Sequence, residues 1–212
     1  MPQDTLIIFM KYPRPGRVKT RLAADIGREN AAHLYRLFAE AILQTTQSGN
    51  FRRIVYYAPR GKKQDFQNWL GKETKLRPQQ GQTLGQRLSD GFKSLFWQGA
   101  KRVVAIGTDS PLLSPETINR AFRLLRRHQC VLGPCIDGGY YLLGLSGFYP
   151  AIFQKISWGT NKVLRQTLKR IEEAKLSHKL LNPGFDIDDI GGLLLLEKML
   201  MQTQRASARF AR

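Results

Sequence analysis

The sequence predicts a single α/β domain with a mainly parallel sheet covered by helices, and three observations predict it. Short continuous apolar runs occur at Leu6–Met10, Ile54–Ala58 and Val103–Gly107. Runs of that length suit strands buried on both faces, as in a parallel sheet. Longer stretches of helical periodicity separate them, and alternation of this kind marks a helix-covered sheet. The chain has 212 residues, 42% apolar and 24% charged, enough to bury one core without disulfides or metals as staples. No internal repeat and no dividing linker is visible. The reading is therefore one domain over residues 1–201, followed by a polar, basic tail over 202–212 that lacks periodicity and is expected to be disordered.

The elements follow in order. Leu6–Met10 is the first strand, and a loop with Pro13, Pro15 and Gly16 breaks it. Leu34, Leu37, Phe38, Ala41, Ile42 and Thr45 recur at spacings of three and four, one face of a helix. Ile54–Ala58 is the second strand, closed by Pro59. Leu84, Leu88, Phe92, Leu95 and Phe96 form a second helical stripe, and Val103–Gly107 is the clearest buried strand. Ser114-Pro115-Glu116 signals a helix start, because serine satisfies free backbone N–H groups and proline at the first helical position loses no hydrogen bond. Val131–Gly133 and Tyr140–Leu145 read as strands, with Gly138-Gly139 between them. Helices at about 161–174 and 190–201 complete the domain.

Charge and cysteine content bound the partners. Lys plus Arg number 34 against 16 acids, a net charge of +18. That balance bears on partners and not on fold. A basic solvated surface, an anionic small molecule and nucleic acid all fit it. Nucleic acid is disfavoured, since no RNA-binding motif or aromatic-rich basic stripe is present. The longest apolar runs, such as Leu193–Leu196, fall far short of the roughly 20 residues of a membrane span. No secretory signal is visible at the N-terminus, and a cytoplasmic protein is expected. Cys130 and Cys135 lack the companions of a zinc site and read as reduced core thiols. The histidines, His33, His128 and His178, fall in expected helices away from the polar loops, and Trp158 reads as a core residue.

Ligands of open α/β sheets bind beyond the carboxyl ends of the strands, and polar motifs stand at such ends. Lys11, Arg14, Arg17, Lys19 and Arg21 follow the first strand within eleven residues. Gly16 permits close backbone approach there, and the cations suit a diphosphate that Arg21 can grip with two parallel hydrogen bonds. The spacing is neither GxxxxGK[ST] nor GxGxxG. Asp109, in Gly107-Thr108-Asp109-Ser110-Pro111, is placed for Mg2+ or Mn2+, hard cations that take oxygen ligands and bring substrate phosphates with them; an Asx-turn is the alternative. Asp186 and Asp188 are two apart, so in an extended segment they share a side and can complete that site. Alternatively they place charge at the N-terminus of the following helix. Gly138 and Gly139, before Tyr140, let a sugar or base approach the backbone. Asp137 is a candidate hydroxyl contact or general base, or the closing residue of a tight turn.

Taken together these stretches resemble a bacterial glycosyltransferase family with the nucleotide-diphospho-sugar transferase (GT-A) fold, the DUF2064 group, some of whose members are associated with arsenosugar biosynthesis. The resemblance spans about residues 5–200. Its motifs are Lys11-x-Pro-x-Pro-Gly16-x-Val-Lys19-Thr20-Arg21-Leu22, Gln80-Gly81-x-x-Leu84-Gly85-x-Arg87, Gly107–Pro111, Asp137-Gly138-Gly139-Tyr140-Tyr141-Leu142-x-Gly144 and Asp186-Ile187-Asp188. It implies a nucleotide over the first strand, with Lys11, Gly16, Lys19, Thr20, Arg21 and Arg87 around its phosphates. It implies a divalent metal on Asp109 and a C-terminal carboxylate, Asp188 rather than Asp186, and a substrate beside Gly138, Gly139 and Tyr140. The chain departs from the pattern at Thr83, where aspartate is usual, and after Asp188, where it continues Asp-Ile-Gly-Gly-Leu193. The expected activity is Mg2+- or Mn2+-dependent glycosyl transfer from a nucleotide-diphospho-sugar, a nucleotide-activated small-molecule substrate. Nucleotidyl transfer from a nucleoside triphosphate with release of pyrophosphate, and non-catalytic nucleic-acid binding, are the alternatives.

Overall fold

In a computed structural model, residues 4–210 are described, with side chains to Gln202. Among them the chain forms a seven-stranded sheet: β1 (Asp4–Lys11), β2 (Arg52–Ala58), β3 (Leu76–Pro78), β4 (Arg102–Ile106), β5 (Cys130–Pro134), β6 (Tyr140–Leu145) and β7 (His178–Leu180). The spatial order is β3-β2-β1-β4-β6-β5-β7. β6 is antiparallel to both its neighbours, and the other pairings are parallel.

The helices are α1 (Leu22–Ile26), α2 (Arg28–Thr45), α3 (Lys63–Leu70), α4 (Leu84–Trp97), α5 (Pro115–Leu124), α6 (Val163–Glu173) and α7 (Ile190–Phe210). They cover both faces of the sheet. Leu6, Ile8 and Met10 of β1 pack with Ala39 and Ile42 of α2, Phe66 of α3 and Phe122 of α5. Ile7 points the other way, into Leu88, Phe92 and Leu95 of α4 and Ile171 of α6. The period-two alternation of β1 thus divides between two apolar layers. A strand walled on both faces has no polar position to spare, which is why it reads as a continuous apolar run. Each such side chain contributes roughly 1.5–3 kcal/mol by leaving water.

Local signals set the helix starts. Ser114 accepts a hydrogen bond from the Thr117 N–H, with Pro115 at the first turn of α5. Thr83 closes a reciprocal cap with Gln86 at the start of α4, so the departure at this position serves the helix end well. The anticipated face of α2 is displaced. Ala31, Ala32, Tyr35, Phe38, Ala39 and Ile42 are its buried residues, while Leu37 is 46% exposed. The helix begins at Arg28, and its small alanines set the line of closest approach. β3 and β7 are edge strands of three residues, too short to carry a period. His178 lies on β7 and His128 in the turn after α5, not in helices. Cys130 and Cys135 are free and buried, and burial pushes the Cys130 thiol up to about 12.

α7 runs on from the domain into the basic tail as far as Phe210; residues 211–212 lie outside the described ones. Helix formation is cooperative, so an established helix extends through residues that have no apolar face of their own. Among the described residues no helix is long and apolar enough to cross a membrane.

Candidate active site

The strand order reverses at β1. From it the chain builds outward through β2 and β3, then returns to lay β4 on the other side. Adjacent loops part at such a switch point, and a crevice opens beyond the carboxyl ends of the strands. A cavity of about 480 Å³ lies there, between the ends of β1 and β4.

One wall is the loop from β1 to α1. Val18 is its anchor, buried against Ala32 and Tyr35 of α2. This pins the loop so that Lys19, Thr20 and Arg21 line the cavity, together with Lys11 at the strand end. Lys19 has a left-handed backbone, φ 46°. That conformation is uncommon for a residue with a side chain, and surrounding contacts must hold it. Its Nζ donates to Asp188 Oδ1 at 2.9 Å and pairs with Asp109. The Lys19 side chain is 2% exposed, against 41% for Asp109 and 49% for Asp188. Burial pulls the Lys19 pKa down, but the two carboxylates outweigh it and hold the pKa above the ordinary lysine value. Gly16 (φ 70°) turns the loop against the Arg28 side chain and stands outside the cavity wall.

The opposite wall combines Thr108, Asp109 and Ser110 after β4 with the segment before α7. Ile187 brings that segment in. It is fully buried with Phe38 of α2 and Leu196 of α7, and its N–H donates to the Asp109 carbonyl at 2.9 Å. Both flanking acids then face the cavity, as their two-residue spacing predicts, but their surroundings differ. Asp188 meets Lys19, whereas Asp186 accepts a hydrogen bond from Ser110 Oγ. Burial pushes the Asp186 carboxyl up to about 6 against the Ser110 bond, and the charges of Asp109, Asp188 and Asp137 add to the rise.

Two residues that sequence reasoning missed hold the floor and rim. Tyr35 is 4% exposed, and its hydroxyl accepts from the Lys11 N–H at 2.8 Å and from Thr108 Oγ1 at 3.0 Å. It ties the end of β1 to the end of β4. Burial and the Asp109 charge raise its pKa, so the phenol stays protonated. Gln79 is buried and donates to the carbonyls of Tyr56, at 2.7 Å, and Met10, at 3.3 Å. Its side-chain oxygen accepts from Arg87 at 3.5 Å, while Arg87 Nε donates to the Gly81 carbonyl at 2.9 Å. Arg87 is thereby held at the cavity. A polar residue within the buried stripe of α2, and a glutamine directly after an edge strand, were the available signals.

The turn after β5 is arranged differently. Asp137 is exposed, stands outside the cavity wall, and accepts from the Gly139 N–H at 2.9 Å. Gly138 (φ 86°) packs so closely on the Asn161 backbone that a Cβ there would overlap it. The closing-turn alternative therefore describes Asp137, and the structure does not bring Asp137, Gly138 or Gly139 to the cavity. Tyr140 does line it, with its hydroxyl fully buried beside Thr167. Trp158 packs on the core, against Tyr140 and Gly85.

Among the described residues no group of three or more His, Cys, Asp or Glu forms a ready-made metal cage. The pair Asp109 and Asp188 nevertheless converges on one cation, the Lys19 ammonium. The donors are all oxygen, and Mg2+ is commonly held by one or two carboxylates plus substrate phosphates. The residues present fit such an ion when a phosphate chain shares it.

A structure of a candidate nucleotide-diphospho-sugar transferase from Desulfovibrio desulfuricans G20 superposes with a TM-score of 0.90 at 34% identity, over 92% of this chain and 87% of that one. A Methanothermobacter nucleotidyl transferase matches with a TM-score of 0.65 at 15% identity, covering 94% of this chain and 98% of that one. Rv0371c from Mycobacterium tuberculosis H37Rv, in complex with manganese, matches with a TM-score of 0.56 at 14% identity, over 92% and 97%. The last two show a shared fold. No curated protein matches the chain significantly. Residues 41–160 match the family described as "Uncharacterized protein conserved in bacteria (DUF2064)". With more than half of the chain inside that match, and a structural relative at 34% identity along most of its length, this protein belongs to the DUF2064 family.

Proposed function

We propose that the protein is a Mg2+- or Mn2+-dependent glycosyltransferase using a nucleotide-diphospho-sugar donor. One observation carries the reading: cations of the β1–α1 loop and Arg87 share a cavity at the switch point with a converging carboxylate pair. A diphosphate needs both, because its charge must be met by cations and its metal by oxygen ligands. Arg21 and Arg87 present planar forks that match phosphate oxygens. Lys11, Lys19 and the Thr20 hydroxyl add donors. Arg87 is held at the cavity before substrate arrives, by the Gly81 carbonyl and Gln79, and preorganised donors aimed at developing charge form the commonest large contribution to catalysis. Asp109 and Asp188 would hold the ion, which would supply positive charge against the nucleoside diphosphate. Tyr35 keeps the ends of β1 and β4 in register, so that both halves of the site stay aligned. The likeness to a candidate nucleotide-diphospho-sugar transferase supports the same reading.

Nucleotidyl transfer is the second reading. The nucleotidyl transferase of the same fold favours it, and the same cavity would receive a triphosphate. A thermal-shift screen with Mn2+ separates the two. Stabilisation by a nucleoside-diphosphate sugar above that by any triphosphate supports glycosyl transfer, and the reverse order supports nucleotidyl transfer. Stabilisation by RNA or DNA alone, abolished by salt, overturns both.

A further inference from the structure

The β1–α1 loop divides its cations into two kinds. Lys11 and Arg21 are exposed and line the cavity, where a phosphate chain can meet them, while Arg14 and Arg17 are exposed outside it. Lys19 is buried and turned inward on a left-handed backbone, so that its ammonium reaches up beneath two half-exposed carboxylates. Without it, Asp109, Asp186 and Asp188 would gather three acids around one cavity with no cation between them. Lys11 and Arg21 already line the cavity for an arriving phosphate chain, so in the free protein Lys19 is left to the carboxylates.

The same oxygens cannot serve Lys19 and a divalent ion equally. Asp188 Oδ1 is 2.9 Å from Nζ, and Mg2+ binds oxygen at about 2.0–2.1 Å. An ion taking both carboxylates would stand against the ammonium, with like charges meeting at one point. A phosphate chain relieves this conflict by offering the ammonium new charge-assisted partners. We propose that Lys19 is a resident cation in the metal position, which holds the carboxylate pair in the free protein and yields it only when phosphates draw the ammonium away. Metal and nucleotide then bind with positive coupling, and by linkage each strengthens the other equally. The inference rests on the metal-dependent reading above and adds an order to it: the carboxylate pair is closed to a bare metal ion.

The test is Mn2+ binding without nucleotide, read from the electron paramagnetic resonance signal of free Mn2+. Wild type, Lys19→Met, Lys19→Arg and the double variant Lys19→Met/Asp109→Asn are compared, with folding checked by thermal unfolding. Removing the ammonium should tighten Mn2+ binding at least about tenfold, within the usual range of coupling between sites. Lys19→Arg, which keeps the charge, should bind Mn2+ as weakly as wild type, and Asp109→Asn should cancel the gain. If Lys19→Met fails to fold, Lys19→Gln carries the same comparison, because it too removes the charge while keeping a polar side chain. Equal Mn2+ affinity in wild type and the neutral variants overturns the role of Lys19 and leaves the metal reading standing. Absence of Mn2+ binding in every protein, with and without added pyrophosphate, overturns both.

Discussion

Two loops at the same rim of the sheet look alike in sequence and behave differently. The β1–α1 loop and the β5–β6 turn are both polar, both follow the carboxyl end of a strand, and both contain a glycine with positive φ, Gly16 at 70° and Gly138 at 86°. In the first, Lys19, Thr20 and Arg21 reach the cavity. In the second, the Asp137 carboxylate turns back to the Gly139 N–H, and Gly138 packs on the Asn161 backbone. The first loop closes through backbone bonds such as that from the Arg17 N–H to the Arg14 carbonyl, so its polar side chains are not needed for closure. The tight turn uses its polar groups on itself. Polarity at a strand end therefore marks a site only where the backbone can close without those side chains.

The largest expected effect lies on the carboxylate pair that faces the first loop. Asp109→Asn should abolish metal-dependent nucleotide binding while leaving thermal unfolding cooperative. Asp188→Ala should cost more activity than Asp186→Ala, which removes a carboxylate bonded to Ser110 and not to the shared cation. Loss of a group that only orients a metal ligand commonly costs on the order of 10–100-fold, and Asp188→Ala should reach or pass the top of that range. Initial rates across a Mn2+ titration check the order, and a larger loss at Asp186 would exchange the two roles.

Next comes Arg21→Ala. A charge-assisted hydrogen bond contributes about 1.5–3 kcal/mol, so diphosphate ligands should weaken by roughly 10–150-fold while the corresponding nucleosides are unaffected. Calorimetric titration of both classes gives the ratio, and equal weakening would take Arg21 out of the phosphate site.

Asp186→Asn tests stability. The Asp186 carboxyl titrates at about 6 in the folded protein, against about 3.9 in an unfolded chain. Folding therefore favours its protonated form, and wild type loses stability as pH rises from about 4 through 6. Above that window the neutral amide should be more stable than wild type by about 2–3 kcal/mol, and below about pH 4 the gain should vanish. Urea denaturation at both pH values measures it. A gain that does not depend on pH would show that charge is not the cause.

The smallest effect belongs to the second loop. Asp137→Ala should lower stability by about 0.5–1.5 kcal/mol through its one turn hydrogen bond, and should leave kcat/KM within about threefold, less than about 0.7 kcal/mol of barrier. A fall of several orders of magnitude in steady-state rate would return Asp137 to the catalytic group and remove the contrast between the loops.

The sequence by itself determined the layered α/β class, the central strands and the rim that holds the cavity. Leu6–Met10 and Val103–Gly107 are legible because a strand covered on both faces must be apolar throughout, a constraint each residue carries alone. Ser114-Pro115 is legible because a helix start needs local hydrogen-bond partners. The neighbourhood of Lys19, Arg21, Asp109 and the two C-terminal acids was legible too, since polar residues at the ends of buried strands have few other places to go. Tertiary structure alone decided which of these side chains meet. Asp186 and Asp188 share a side by their spacing, yet one finds Ser110 and the other Lys19, because the buried Ile187 between them fixes the segment against α2 and the loop after β4. Tyr35 and Gln79 act through backbone groups 24 and 69 residues away, which no local period encodes. The inward turn of Lys19 depends on Val18 packing under α2 and on carboxylates 90 and 169 positions further along the chain, so its direction exists only once the sheet has assembled.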